Sequence, residues 1–213
     1  LHVGRIVAAL YNEVHDFYVF ADGAIPSTNP LPCICIPTTF RAPLTFTPFV
    51  PVTDARNHQL KFMKIQNSVT KLVLIDPNLM LTLTENQKAT LSIEIIGMAI
   101  EAYLSQKANF FSDMFVEKGL EIMSYALDGS PSLEITTPEE VLMAQAGIMI
   151  SMASSSSSLG MGSLLALSIY SRYHKSKSLV ASVLLPYALE DTCKYKIARI
   201  EKLAHIIRAC PED

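Results

Sequence analysis

The sequence predicts an α/β part followed by an all-α part, joined near residue 82. Three observations carry that expectation. Short apolar runs without alternation, Cys33-Ile34-Cys35-Ile36 and Leu72 to Ile75, read as strands of an incomplete parallel sheet. Helical periodicity takes over from about residue 85 and continues to about 210 with no convincing strand. Between the two stands Thr84-Glu85-Asn86-Gln87, a capping box in which the Thr hydroxyl accepts from the third amide and the Gln side chain reaches back.

Taken in order, residues 3–12 form a short helix with Val3, Ile6, Val7 and Leu10 on one face, and 13–31 are a polar, proline-containing connector. Pro32 and Pro37 bound the first strand, whose wholly apolar run suits burial on both faces. Residues 38–48 carry Pro43 and Pro48 without a period and read as a loop; Phe49 to Val52 is a second short strand. Helices are predicted over 85–106, 112–128, 138–153, 160–171, 178–189 and 192–208. Asp128-Gly129-Ser130-Pro131 stops one of them, and Thr137 caps the next, with Pro138 at its first position and Glu139 and Glu140 on its positive end. The division is therefore 1–82, an incomplete α/β domain, and 83–213, a helical domain.

The chain has 213 residues, half of them apolar and 17% charged, which calls for a sizeable core. A net charge of −3 and the absence of a long basic run argue against a nucleic-acid partner. Cys33, Cys35, Cys193 and Cys210 form no Cys-x-x-Cys, so free thiols in the cytoplasm or another reducing compartment are expected. The start has no signal-peptide pattern and no initiator Met, so the expectation is a chain that begins inside something larger or whose start was not retained. Residues 141–171 carry no charged side chain, but Ser154 to Ser158, Gly160, Gly162 and Ser163 interrupt them; two buried helices in tight contact are expected rather than a membrane span. Met98, Met143, Met149, Met152 and Met161 read as core filler, and Lys194 to Lys202 as the solvated face of a terminal helix.

Several short motifs occur in series: Leu31-Pro32-Cys33-Ile34-Cys35-Ile36-Pro37-Thr38-Thr39, Thr47-Pro48-Phe49, Val52-Thr53-Asp54, Leu74-Ile75-Asp76-Pro77, Ala99-Ile100-Glu101-Ala102-Tyr103, Phe111-Ser112-Asp113, Ala146-Gly147-Ile148 and Val183-Leu184-Leu185-Pro186. In this order and spacing the sequence resembles the iron-containing (group III) alcohol dehydrogenase family. The resemblance implies a dehydroquinate synthase-like fold, a Rossmann-like sheet followed by a helical metal domain. It also implies NAD(P) as cofactor and a small alcohol or aldehyde as substrate. The family's glycine-rich turn would fall just before Leu1, with His2 at the place of its following Asp, and the family's last helices would follow Asp213.

The resemblance also marks the sites. Thr38 and Thr39 match the family's cofactor loop, but Phe40 to Thr45 lacks its glycines; Arg41 could still pair with a phosphate. The family's metal ligand positions hold Glu94, Met98, Leu167 and Lys177, a set that does not suit iron or zinc, so a metal is unexpected. His174 lies near enough in sequence to substitute for one ligand. Two arrangements are open for the charges: Lys177 pairs with a buried Glu94 in place of the ion, or both face water. Glu94, Lys177 and His174 are thus the candidate acid–base set of a metal-free enzyme. The other reading is a non-catalytic relative kept for homo- or hetero-oligomeric assembly.

Overall fold

A computed structural model describes residues 1–128 and 137–207; the expected stop at Gly129-Ser130-Pro131 and the Cys210 thiol lie outside them. The order is α1 (His2–Leu10), α2 (Phe17–Ala21), β1 (Cys33–Cys35), β2 (Phe49–Asp54), β3 (Gln59–Lys64), β4 (Thr70–Val73), α3 (Glu85–Leu104), α4 (Phe110–Asp128), α5 (Glu139–Ser156), α6 (Met161–Tyr173), α7 (Lys177–Cys193) and α8 (Ile197–Ile206). Single turns of 3-10 helix stand at Pro43–Phe46, inside the expected loop, and at Pro77–Met80.

β1 and β4 pair in parallel, Ile34 opposite Leu72 and Cys35 opposite Val73, and β4 begins two residues before the expected run. Burial on both faces does not hold: Ile34 is 58% and Leu72 47% exposed. A parallel sheet is covered by crossover helices on both faces, and among the described residues this sheet has two strands. Phe49 to Val52 belongs elsewhere, to an antiparallel hairpin in which β2 pairs with β3. β3 went unread because its sequence is half polar and its turn has no glycine; the Asn57 and His58 amides donate to the Asp54 carbonyl, and His58 itself takes the left-handed φ of 56°. Val50 and Met63, opposite each other in register, are fully buried and share a small core with Ala8, Ala9 and Phe20 from α1 and α2. The short α2, within the expected connector, is capped by Asp16, which accepts from the Tyr18 amide at 2.8 Å.

Two charged groups brace this part. The Asp54 carboxylate meets Arg56 at 2.7 Å and Lys61 at 2.8 Å, and both cations also reach Asp22 beyond α2. The hydrogen bonds from Arg56, then Lys61, hold Asp54 well below the usual carboxylate range. On α1, buried Arg5 donates to Thr70 Oγ1 at 3.0 Å and to the Leu44 carbonyl at 2.7 Å, and also to the Thr47 carbonyl. It ties the helix to β4 and to the 44–47 turn.

The helical part forms as its sequence predicts, with shifted ends. Thr84 Oγ1 accepts from the Gln87 amide at 3.3 Å and the Thr84 amide donates to Gln87 Oε1 at 2.9 Å, closing the capping box that starts α3. Ile95, Met98, Ala99 and Ala102 of α3 pack with Leu120 and Met123 of α4 and with Met143, Ala146 and Ile150 of α5. Met161, expected as filler, is instead exposed at the start of α6. α5 begins at Glu139, with Pro138 as the flanking residue and no cap from Thr137, and it runs on through Ser156. The serines stay helical by bonding back: Ser155 Oγ donates to the Ser151 carbonyl at 2.8 Å and Ser156 Oγ to that of Ala153 at 3.0 Å. α7 continues past Pro186 to Cys193, so α8 begins at Ile197 rather than 192. No helix among the described residues is long and apolar enough to cross a membrane.

Candidate active site

Three segments deliver the charged side chains. α3 supplies Glu94 from its middle. The 38–43 loop supplies Arg41, and its course depends on Gly147 of α5. An added Cβ there would stand 1.7 Å from the Phe40 carbonyl oxygen, so only glycine lets the loop lie on the helix. One turn later Ser151 Oγ accepts from the Ala42 amide at 3.0 Å while donating to the Gly147 carbonyl at 2.7 Å. The third segment follows α6, where His174 caps the helix in a left-handed conformation and Lys177 opens α7.

The side chains meet at Glu94, which is 3% exposed. Lys177 Nζ lies 3.2 Å from Glu94 Oε1 and Arg41 Nε lies 2.5 Å from Oε2. The Arg41 contact is out of hydrogen-bond alignment, so it is ionic rather than directed. Of the two arrangements open to the sequence, the structure adopts the paired one and adds a cation. Burial pushes the Lys177 ammonium down to about 8; repulsion from Arg41 adds to this and Glu94 opposes it. Its place at the positive end of α7 is unfavourable for a cation as well. Glu94 is what makes that position tolerable.

The cluster borders a cleft of about 460 Å³ lined by His2, Arg41, Val52, Leu60, Leu167, Tyr170, Ser176, Lys177 and Ser178, among others. His2 is the functional candidate that the sequence did not single out, since its only signal was a place after the expected glycine turn. Burial first, then surrounding positive charges including Arg5, Lys177 and Arg41, lower its imidazole to about 4, so the ring is neutral at pH 7. Its Nδ1 is buried without a hydrogen-bond partner among the described residues.

The remaining positions scatter. Leu167 lines the cleft, whereas Met98 is packed into the core between the helices. His174 is exposed, stands edge-on to Tyr170 with ring centres 6.3 Å apart, and is not among the residues lining the cleft. Thr38 is exposed; Thr39 Oγ1 donates to the Arg41 carbonyl at 3.2 Å. Arg41 is turned to Glu94 rather than held free in an open loop.

A metal does not fit this donor set. One carboxylate, a thioether buried elsewhere, an isobutyl group and an ammonium offer a divalent ion a single ligand, and two cations already occupy that ligand. Among the described residues, no three His, Cys, Asp or Glu side chains are grouped to hold an ion.

The other acid on this face of α3 is settled differently. Glu101 accepts from the Gly160 amide at 3.2 Å, from the Ser163 amide at 3.1 Å and from Ser163 Oγ at 2.5 Å, at the start of α6. The Gly160, Gly162 and Ser163 cluster is thus a seat for a carboxylate. An added Cβ at Gly160 would stand 2.4 Å from Glu101 Cδ.

A short parallel sheet joined to a helical bundle, with a polar cleft at the junction, is a fold shared with solved structures. The iron-containing alcohol dehydrogenase from Thermotoga maritima superposes over 95% of this chain and 55% of its own with a TM-score of 0.79 at 18% identity. A sulfoacetaldehyde reductase from Bifidobacterium kashiwanohense, solved in complex with NAD+, does so over 97% of this chain and 55% of its own with a TM-score of 0.82 at 14% identity. In sequence, 1-propanol dehydrogenase of Citrobacter freundii is 24% identical over 187 residues, 85% of this chain and 50% of the relative. No protein-family model matches. In sequence and fold the chain is similar to iron-containing alcohol dehydrogenases, and it spans about half the length of this curated relative.

Proposed function

We propose that the chain carries the junction of an NAD(P)-linked alcohol or aldehyde oxidoreductase in which the metal-dependent reaction is weak or lost. Residues 1–82 are read as the partial dinucleotide-binding part, with Thr38, Thr39 and the loop around Arg41 nearest the cofactor, and 83–213 as the former metal-binding part. One observation carries this reading: Glu94, at a family ligand position, is neutralised by Arg41 and Lys177. In a metal-dependent dehydrogenase the ion stabilises the alkoxide-like oxygen from which hydride leaves. Here Lys177 and Arg41 hold positive charge at that place. Lys177, lowered toward neutrality, can also donate or take up a proton beside the cleft. Kinship with the sulfoacetaldehyde reductase, solved with NAD+, supports the dinucleotide. Elemental analysis of the purified chain with a titration of NADH and NADPH followed by fluorescence tests the reading. Sub-stoichiometric iron and zinc with saturable dinucleotide binding is the expected result, and one iron or zinc per chain overturns it.

The second reading is a non-catalytic relative that acts by assembly. The observation that favours it is the exposure of apolar side chains, Val3 and Val7 on α1 and the paired Ile34 and Leu72 of the parallel strands. Sedimentation showing a monomer at all concentrations would remove it. Free thiols at Cys33 and Cys35 are consistent with a reducing compartment under either reading.

A further inference from the structure

The cluster at Glu94 is not electrically balanced. Arg41 and Lys177 bring two positive charges to one carboxylate. Both cations line the cleft, and no Asp or Glu is among the described residues lining it. His2, neutral at pH 7, adds a buried Nδ1 without a partner among the described residues, and Ser176 and Ser178 add hydroxyls. One wall of the cleft is therefore polar with a surplus positive charge. Val52, Leu60 and Leu167 line it too and are apolar. Low-dielectric walls focus such a charge on whatever enters the cavity.

We infer that this cleft binds a small organic carboxylate, its head group between Arg41 and Lys177 and its carbon chain along Val52, Leu60 and Leu167. The inference rests on the reading that no metal resides here, since a resident divalent ion would need Glu94 for itself. The guanidinium plane and the ammonium match a carboxylate in shape and charge. Inorganic phosphate shares the head-group chemistry but leaves the apolar side chains unused. A neutral alcohol of the same length uses the apolar side chains but leaves the surplus charge unanswered. The cavity volume lies within the usual range for small-molecule sites. A carbonyl or hydroxyl on a carboxylate-bearing substrate would thus be oriented by its acid group rather than by an ion.

Calorimetric titration of the full chain with butanoate, butan-1-ol and inorganic phosphate tests this, with metal content measured on the same sample. Butanoate should bind saturably at one site per chain, butan-1-ol should not bind, and phosphate should bind at least about tenfold more weakly than butanoate. Glu94→Gln removes the competing carboxylate and should tighten butanoate by about tenfold, while Leu167→Asp should weaken it by at least about tenfold. Absence of saturable butanoate binding to both wild type and Glu94→Gln overturns the inference. Equal binding of the alcohol, or phosphate binding as tightly as butanoate, does so too. A metal-free sample that fails to bind butanoate sinks this inference alone, whereas stoichiometric iron or zinc sinks the functional reading beneath it.

Discussion

Glu94 and Glu101 lie seven residues apart on α3, two turns along one face, and both side chains leave the helix toward α6 and α7. Glu101 is held by two backbone amides and a serine hydroxyl at the start of a helix. Those dipoles are fixed by the backbone and cannot leave, and glycines at 160 and 162 make room for the carboxylate. Glu94 is held by the ends of two long side chains, each about one-fifth exposed. Such a partner can be shared with a ligand. The same residue type on the same helix is held by backbone dipoles at one position and by two side-chain cations at the other, and the difference lies wholly in who answers its charge.

The largest effect should come from stripping Glu94 of both partners. The double variant Arg41→Met/Lys177→Met leaves a buried carboxylate with no cation and should cost about 3–4 kcal/mol in urea unfolding. A cost below about 1 kcal/mol would mean that water reaches Glu94 and that the two acids are alike. Next in size, Gly160→Ala drives a methyl into Glu101 and should cost about 2 kcal/mol while leaving butanoate binding unchanged. A loss of binding there would join the two sites. The smallest effect is in pH. The unfolded chain protonates Lys177 near 10.5 and the folded chain near 8, so the unfolded state binds more protons between those values. Stability should therefore rise with pH across that window, and urea midpoints for Lys177→Met should show a flatter rise. An identical slope in both proteins would place Lys177 in water.

Much of this contrast was legible in the sequence. The resemblance put Glu94 and Lys177 at two positions of one former metal site, and charge logic then suggested the pair. Arg41 was read only as a phosphate partner, because nothing along the chain links a loop residue to the middle of a helix 53 positions later. Its aim is set by Gly147 and Ser151, which carry no local mark of that task. The hairpin at 49–64 was missed for a related reason: β3 is half polar and its turn is made by His58 rather than by a glycine. Exposure of Ile34 and Leu72 went unforeseen because apolar runs predict strands but not how many neighbours will cover them.

By itself the sequence determined the succession of helices from α3 onward, the capped start of α3 and the change from sheet to helices near residue 82, since these follow from local period and capping. Tertiary structure alone decided that Arg41 joins Lys177 at Glu94 and that His2 and Leu167 border the same cleft. Ion pairing and desolvation depend on distances between segments far apart in the chain, and only packing sets those distances.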